Sequence, residues 1–145
     1  PYEIDPAPVS ALVDAGRRGG ATVVCDVPRR IDDTTACALD RADLVVVITT
    51  SDVRGVAAMS AVAPALRSAN PNVGLVVRGP APGGLRASDI ADASDLPLIA
   101  AMRPEPMLAP QLERGGLRLR RRSPLASAAR RVLALVDGPA RLAAA

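Results

Sequence analysis

The sequence predicts an α/β fold, a parallel sheet of about four strands with helices flanking it. Three observations carry this expectation. Short apolar runs without polar alternation recur along the chain, as strands buried on both faces require. Segments of helical character separate them, giving a βαβα order with right-handed crossovers. Hydrophobic residues make up 49% of the chain and aromatics only 1%, so burial rests on Val, Leu, Ile and Ala. Those residues suit parallel strands covered by Ala-rich helices.

The elements follow in order. Val9–Arg18 has helical character, and Gly19–Gly20 stops it as a C-terminal cap does. Ala21–Asp26 (ATVVCD) is β-branched and unbroken, the first expected strand. Asp33–Arg41 is the next helix, and Leu44–Thr49 (LVVVIT) is the strongest strand signal in the chain. Asp52–Ala69 follows as a helix with Asp52 as N-cap, and Pro64 inside it predicts a kink or break. Val73–Arg78 (VGLVVR) is the third strand and Ser88–Ser94 the helix after it. Leu98–Met102 (LIAAM) is a weaker fourth strand, followed by a helix over Glu105–Arg114. The last helix spans Ser123–Asp137, with Ser123 as N-cap and Pro124 at its first position. At 145 residues this is one domain, 1–137, with 138–145 as a flexible tail.

Composition narrows the chemistry. All 18 basic residues are arginine, and lysine and histidine are absent, so no mechanism needing either can run on this chain alone. Cys25 and Cys37 fit no CxxC or metal-ligand spacing and read as small buried apolar residues. No signal peptide and no apolar run near 18 residues is present, which points to a cytoplasmic protein with reduced thiols. The first residue is Pro1, so the expectation is a segment of something longer.

Four stretches, in order and spacing, resemble the MinD/ParA group of P-loop ATPases. Val23–Arg30 (VVCDVPRR) is similar to the Walker B and switch II segment. Ala42–Arg54 (ADLVVVITTSDVR) is similar to the strand and helix start that follow. Val76–Pro97 (VVRGPAPGGLRASDIADASDLP) matches the stretch from the next strand to a Leu-Pro. Leu98–Gly115 (LIAAMRPEPMLAPQLERG) looks like the strand, proline-containing adenine-side loop and helix ending in glycine. The runs DVPRRIDD and RGPAPGGLR are closest to the CpaE-like branch and its septum site-determining (Ssd) proteins. The resemblance covers about Val9 to Val136 and implies the C-terminal half of a SIMIBI-type P-loop NTPase fold.

That resemblance implies roles residue by residue. Asp26 would be the Walker B-like residue, an indirect magnesium contact or a positioner of water; the other reading is a turn-forming Asp. Asp32 and Asp33 would belong to switch II, or else to a helix start favoured by its dipole. Arg78, Arg103 and Pro104 would lie on the adenine side. Relatives often carry an Asn where Arg78 stands, and a guanidinium offers donors only, although it could stack on a base. The phosphate-binding loop of this superfamily needs a lysine, and this chain has none, so it is expected not to hydrolyse ATP by itself. Gly79–Gly84 (GPAPGG) is not a substitute: Pro80 and Pro82 remove two amide donors, and a solvated turn is the expectation. No cofactor is therefore implied for this chain, and ATP with magnesium only for a complete parent.

Arg118, Arg120, Arg121 and Arg122 form the densest charge. A solvated linker is the favoured reading, followed by an anionic membrane surface over 118–136 and, third, nucleic acid. The last helix places Leu125, Ala129, Val132, Leu133 and Val136 on one stripe. Packing on the sheet is favoured for it over membrane anchoring, which would put the protein at the inner membrane face. The resemblance implies spatial regulation of cell division or of pilus and secretion machinery, with division or pilus/secretion proteins as partners and a homodimer in the parent. Protein interaction is the expected role of this chain. The alternatives are the C-terminal half of an active ATPase, or a degenerate scaffold domain that binds no nucleotide. Without the strand that lies, in that group, between the Walker B strand and LVVVIT, the expectation is either a gap with two open edges or direct pairing of the two strands, and with it either neighbouring chain supplied by the parent or self-association.

Overall fold

The computed structural model describes residues 5–81 and 84–138. The expected tail from residue 139 onward lies outside the described residues. Among the described residues six helices and three strands are formed: α1 (Pro6–Arg18), α2 (Asp33–Arg41), β1 (Val45–Thr50), α3 (Val53–Ala69), β2 (Val73–Arg78), α4 (Ala87–Ser94), β3 (Leu98–Met102), α5 (Leu108–Glu113) and α6 (Pro124–Val136). The sheet is parallel with order β1-β2-β3, so each crossover helix returns the chain to the adjacent position. Register is direct between β1 and β2, with Val45 opposite Val73 and Thr50 opposite Arg78. Between β2 and β3 it shifts by one residue at Leu75/Val76, a bulge that brings both Ile99 and Ala100 to one face.

The two faces of the sheet are covered unequally. On one, Val45, Val73, Leu75 and Val77 meet Leu39 of α2, Met59 and Ala63 of α3, and Ile90 of α4. On the other, Val76, Ile99 and Ala100 meet Ala128 of α6, with Val132 and Leu135 packed beside it. Helix α6 does not reach the outer half of β1, where Ile48 is 71% exposed.

The capping chemistry explains most helix boundaries. Asp32 and Asp52 each accept a hydrogen bond from the amide three residues on, at 2.8 Å, and Ser123 accepts from Ala126 at 3.2 Å. Gly20 has φ +69 and ends α1 in the left-handed region open to glycine. Asn70 joins three elements. Its amide donates to the carbonyls of Leu39 and Ala42, at 2.7 and 2.8 Å, and its oxygen accepts from the Asn72 amide at 2.7 Å. It is 3% exposed, so these carbonyls at the end of α2 have no water to turn to.

Five expectations need correction. Cys25 and Cys37 are not buried: Cys25 lies exposed on the 21–27 stretch, and Cys37 is half-buried. The strand expected at Ala21–Asp26 does not form, and the sheet has three strands instead of about four. Strand propensity supplies a fit to a pleated surface but not a partner. The edge of β1 carries no neighbour among the described residues, and 21–27 runs unpaired and exposed, with Val24 at 88%. The gap expected from the resemblance therefore stays open. Pro64 does not break α3, because Pro64 and Ser60 both lie on the solvent side, where water can satisfy the freed carbonyl. Helix α5 starts at Leu108, not Glu105: Met107 is left-handed (φ 59), and the Glu105 carboxylate instead accepts from the Leu125 amide of α6 at 2.9 Å. Finally, the inward stripe of α6 is Leu125, Ala128, Val132 and Leu135. Ala129, Leu133 and Val136 face outward, so the helix packs on the sheet as favoured but turned from the expected stripe.

Replacing Asn70 by Ala removes the side-chain donor to the Leu39 and Ala42 carbonyls and the acceptor of the Asn72 amide. The expected loss is roughly 1–3 kcal/mol of unfolding free energy, read as a lower urea midpoint with an unchanged m-value.

Candidate functional site at the carboxyl ends of the strands

In an open α/β sheet, loops at the carboxyl ends of the strands form the crevice where ligands sit. Here that crevice is organised by Ser51, the residue after β1, which is 2% exposed. Its amide donates to the Arg78 carbonyl at 3.1 Å, its carbonyl accepts from the Leu85 amide at 3.1 Å, and its hydroxyl accepts from the Ala81 amide at 3.0 Å. The 79–85 stretch is thus folded down onto the end of β1. Close approach explains two glycines: a Cβ at Gly79 would lie 2.2 Å from the Ser51 hydroxyl, and one at Gly84 2.6 Å from the Ser51 carbonyl.

The amides of this stretch are spent inward. Gly79 donates to the Met102 carbonyl at 2.9 Å, Gly84 to the Ala81 carbonyl at 2.8 Å, and Ala81 and Leu85 both to Ser51. Pro80 has no donor. A phosphate nest needs amides converging on a common point, and these diverge onto protein acceptors. The amides of Gly79, Ala81, Gly84 and Leu85 therefore form no phosphate nest, and these residues do more than a solvated turn would.

Beside it lies an open cleft of about 430 Å³, lined by Ser51, Pro80, Leu85, Arg86, Met102 and Arg103 among others. Arg86 and Arg103 bring two guanidiniums to its wall, and no carboxylate pairs with either among the described residues. The cleft is thus cationic over an apolar floor. Arg78, Arg103 and Pro104, the expected adenine-side residues, fall at this same end of the sheet. Arg78 closes β2 opposite Met102 in register, and Arg103 and Pro104 follow directly on β3; all three are exposed. Asp26 falls on the exposed, unpaired stretch and is not in the cleft lining. No cluster of three His, Cys, Asp or Glu able to hold a metal ion occurs among the described residues. The described residues therefore offer no cradle for a triphosphate and its magnesium.

Ser51 was not singled out by sequence reasoning. The available signal was a polar residue between a buried strand and an N-cap Asp, which reads equally well as an ordinary turn.

Two carboxylates on helix starts are held below their ordinary value of 3.8. For Asp52 the main cause is the Thr50 hydroxyl, then the Gly55 amide. For Asp32 it is the Thr35 amide, then the Thr35 side chain. Neighbouring arginines add smaller contributions in the same direction.

Comparison with known proteins gives a consistent outline. No family model matches the chain. Two curated relatives, uncharacterized protein Rv3660c of Mycobacterium tuberculosis (strain ATCC 25618 / H37Rv) and uncharacterized protein MT3760 of strain CDC 1551 / Oshkosh, are each 64% identical over 135 residues. Those matches span 93% of this chain but 39% of the relatives, so the chain corresponds to well under half of their length. Among solved structures, the MinD cell division protein of Aquifex aeolicus superposes with a TM-score of 0.78 at 20% identity, covering 99% of this chain and 65% of that one. The fold is MinD-like. No helix among the described residues is long and apolar enough to cross a membrane.

Two outcomes test this geometry. Gly79→Ala drives a methyl into Ser51 and should cost about 1–3 kcal/mol in a urea titration. Because the Asp52 pKa is depressed in the folded state, its contribution is complete above 3.8 and fades as pH falls through the lower folded value. The stability difference between wild type and Asp52→Ala should therefore be constant near neutral pH and shrink in acid below 3.8, measured by urea midpoints at several pH values.

Proposed function

We propose that this chain is the C-terminal part of a MinD/ParA-related regulator of the septum site-determining, CpaE-like type, and that it works by protein interaction. The observation carrying the reading is a MinD-like fold whose described carboxyl-end loop amides turn onto protein acceptors, Ala81 and Leu85 onto Ser51. The cations beside that loop are arginines, and the chain contains no lysine at all. Such a half retains the scaffold of a nucleotide switch without the groups that bind and polarise a triphosphate. The partners of this reading are division or pilus/secretion proteins, with a homodimer in the parent, at the cytoplasmic side of the inner membrane.

A specific observation favours a second reading. The VVCD run ends in Asp26, in the manner of a Walker B strand, and its stretch lies unpaired beside an open β1 edge. A strand supplied by the parent would give both a partner, making this chain half of an active ATPase.

ATP hydrolysis separates the two. The isolated chain is expected to show no turnover above buffer. The longer parent is then measured as wild type beside Asp26→Ala. No ATP binding or turnover in the parent supports the interaction reading; hydrolysis that is abolished by the substitution overturns it in favour of the half-enzyme.

A further inference from the structure

The second edge of the sheet, β3, differs from β1 in what surrounds it. Leu75 donates to the Pro97 carbonyl and Gly79 to the Met102 carbonyl, with Val77 opposite Ala101. In a parallel ladder with this register, the N–H and C=O of Ala101 itself point away from β2. No strand is bonded on that side among the described residues. Alongside, between β3 and α6, lies a groove of about 170 Å³ floored by Ala100, Met102 and Ala128, with Arg103 and Arg131 at its rim. Neither guanidinium pairs with a carboxylate among the described residues.

The charge around this groove is one-sided. Between Arg103 and Arg131 the sequence holds eight arginines against Glu105 and Glu113, while the rest of the chain holds ten against thirteen acidic residues. Glu105 is engaged at the α6 N-terminus. The segment from the end of β3 through α6 therefore carries the chain's excess positive charge, and of its arginines Arg103 and Arg131 line the groove itself.

We propose that the β3 edge docks an extended acidic segment of a partner protein, which adds as a fourth strand and sets its carboxylates against Arg103 and Arg131. Two features together select this occupant. Outward backbone groups on a strand edge are matched by another extended backbone. Guanidiniums without partners are matched by carboxylates, which they bind in a planar fork. Phosphate on a lipid or nucleic acid meets the second requirement and not the first. An added strand that alternates acidic and apolar residues presents all its carboxylates to the α6 side. The inference rests on the interaction reading above and names its surface and partner chemistry, without depending on whether the parent turns over ATP.

The test uses a blocked peptide of about eight residues alternating Glu and Val, enough for one added strand, and its counterpart with Lys for Glu. Each is titrated into the isotopically labelled chain, followed by calorimetry and amide exchange. Expected are saturable binding of the Glu peptide only, slowed exchange of the Ala101 amide, and weakening by about tenfold in the Arg103→Glu/Arg131→Glu variant. Ala101→Pro removes the outward donor without touching a β2 bond and should abolish binding with an unchanged circular dichroism spectrum; should it fail to fold, amide exchange in the wild type carries the same test. The proposal is overturned by no saturable binding, by equal binding to the charge-reversed variant, or by binding that leaves Ala101 exchange unchanged. Retention on anionic vesicles or duplex DNA without that slowing likewise overturns it, as charge alone. The ATPase measurement is unaffected by any of these outcomes.

Discussion

Of the three strands, β2 alone has a neighbour on each edge and helices over each face. Its odd residues Val73, Leu75 and Val77 enter the cluster under α2, α3 and α4, and Val76 enters the one under α6. A strand in that position can carry no polar side chain until it leaves the sheet, and β2 is buried at every residue until Arg78. Everything else is placed by its relation to this strand. The crossovers must be right-handed helices that return to its sides, and the loops that follow Thr50, Arg78 and Met102 must emerge together at one end. The cleft there is a consequence of parallel pairing before it is a consequence of any loop sequence.

What the loops add is a choice of direction for their hydrogen-bond donors. A nucleotide-binding turn keeps its amides pointing at the ligand. Here protein acceptors receive the described ones, Ser51 two of them, and the glycines that elsewhere let a backbone approach a phosphate let this one approach a serine. The same economy appears at α6, where Ser123 and Glu105 take the first free amides of the helix and Pro124 has none to offer. Both ends that might have bound an anion are closed by the protein's own oxygens. The cations remain on the rims, as arginines without partners.

Much of this fold was legible because its signals are local. Asp32, Asp52 and Ser123 announce their helices by type and position, and Val73–Arg78 and Leu98–Met102 form with the boundaries their apolar runs suggest. The failures share one cause, which is that pairing and facing are not local. ATVVCD has the composition of a strand, yet a ladder partner is a property of the neighbour. The stripe on α6 was set one position off because Ala128 and Ala129 are chemically identical, and only the sheet decides which is buried. Glu105 looked like the start of a helix and became the cap of another one 20 residues away. Arg78, Arg103 and Pro104 lie at the carboxyl end of the sheet, where their strands end. Ser51 stayed hidden, because its role depends on a loop that folds back from 30 residues downstream.

Helix α1 is attached differently from the rest. It lies on α2 through one buried residue, Val13, and through two ion pairs, Arg17 with Asp43 and Arg41 with Asp14, whose side chains are all at least one-third exposed. Exposed pairs of this kind contribute little and are screened by salt. From Gly19 to Asp33 every residue is exposed. Detaching α1 and its tether would break these contacts and not a single ladder bond of the sheet. Raising the ionic strength loosens the helix while leaving the apolar core around the sheet untouched. A protease meeting Arg29 and Arg30 in mid-tether would divide the molecule at the seam between helix and sheet.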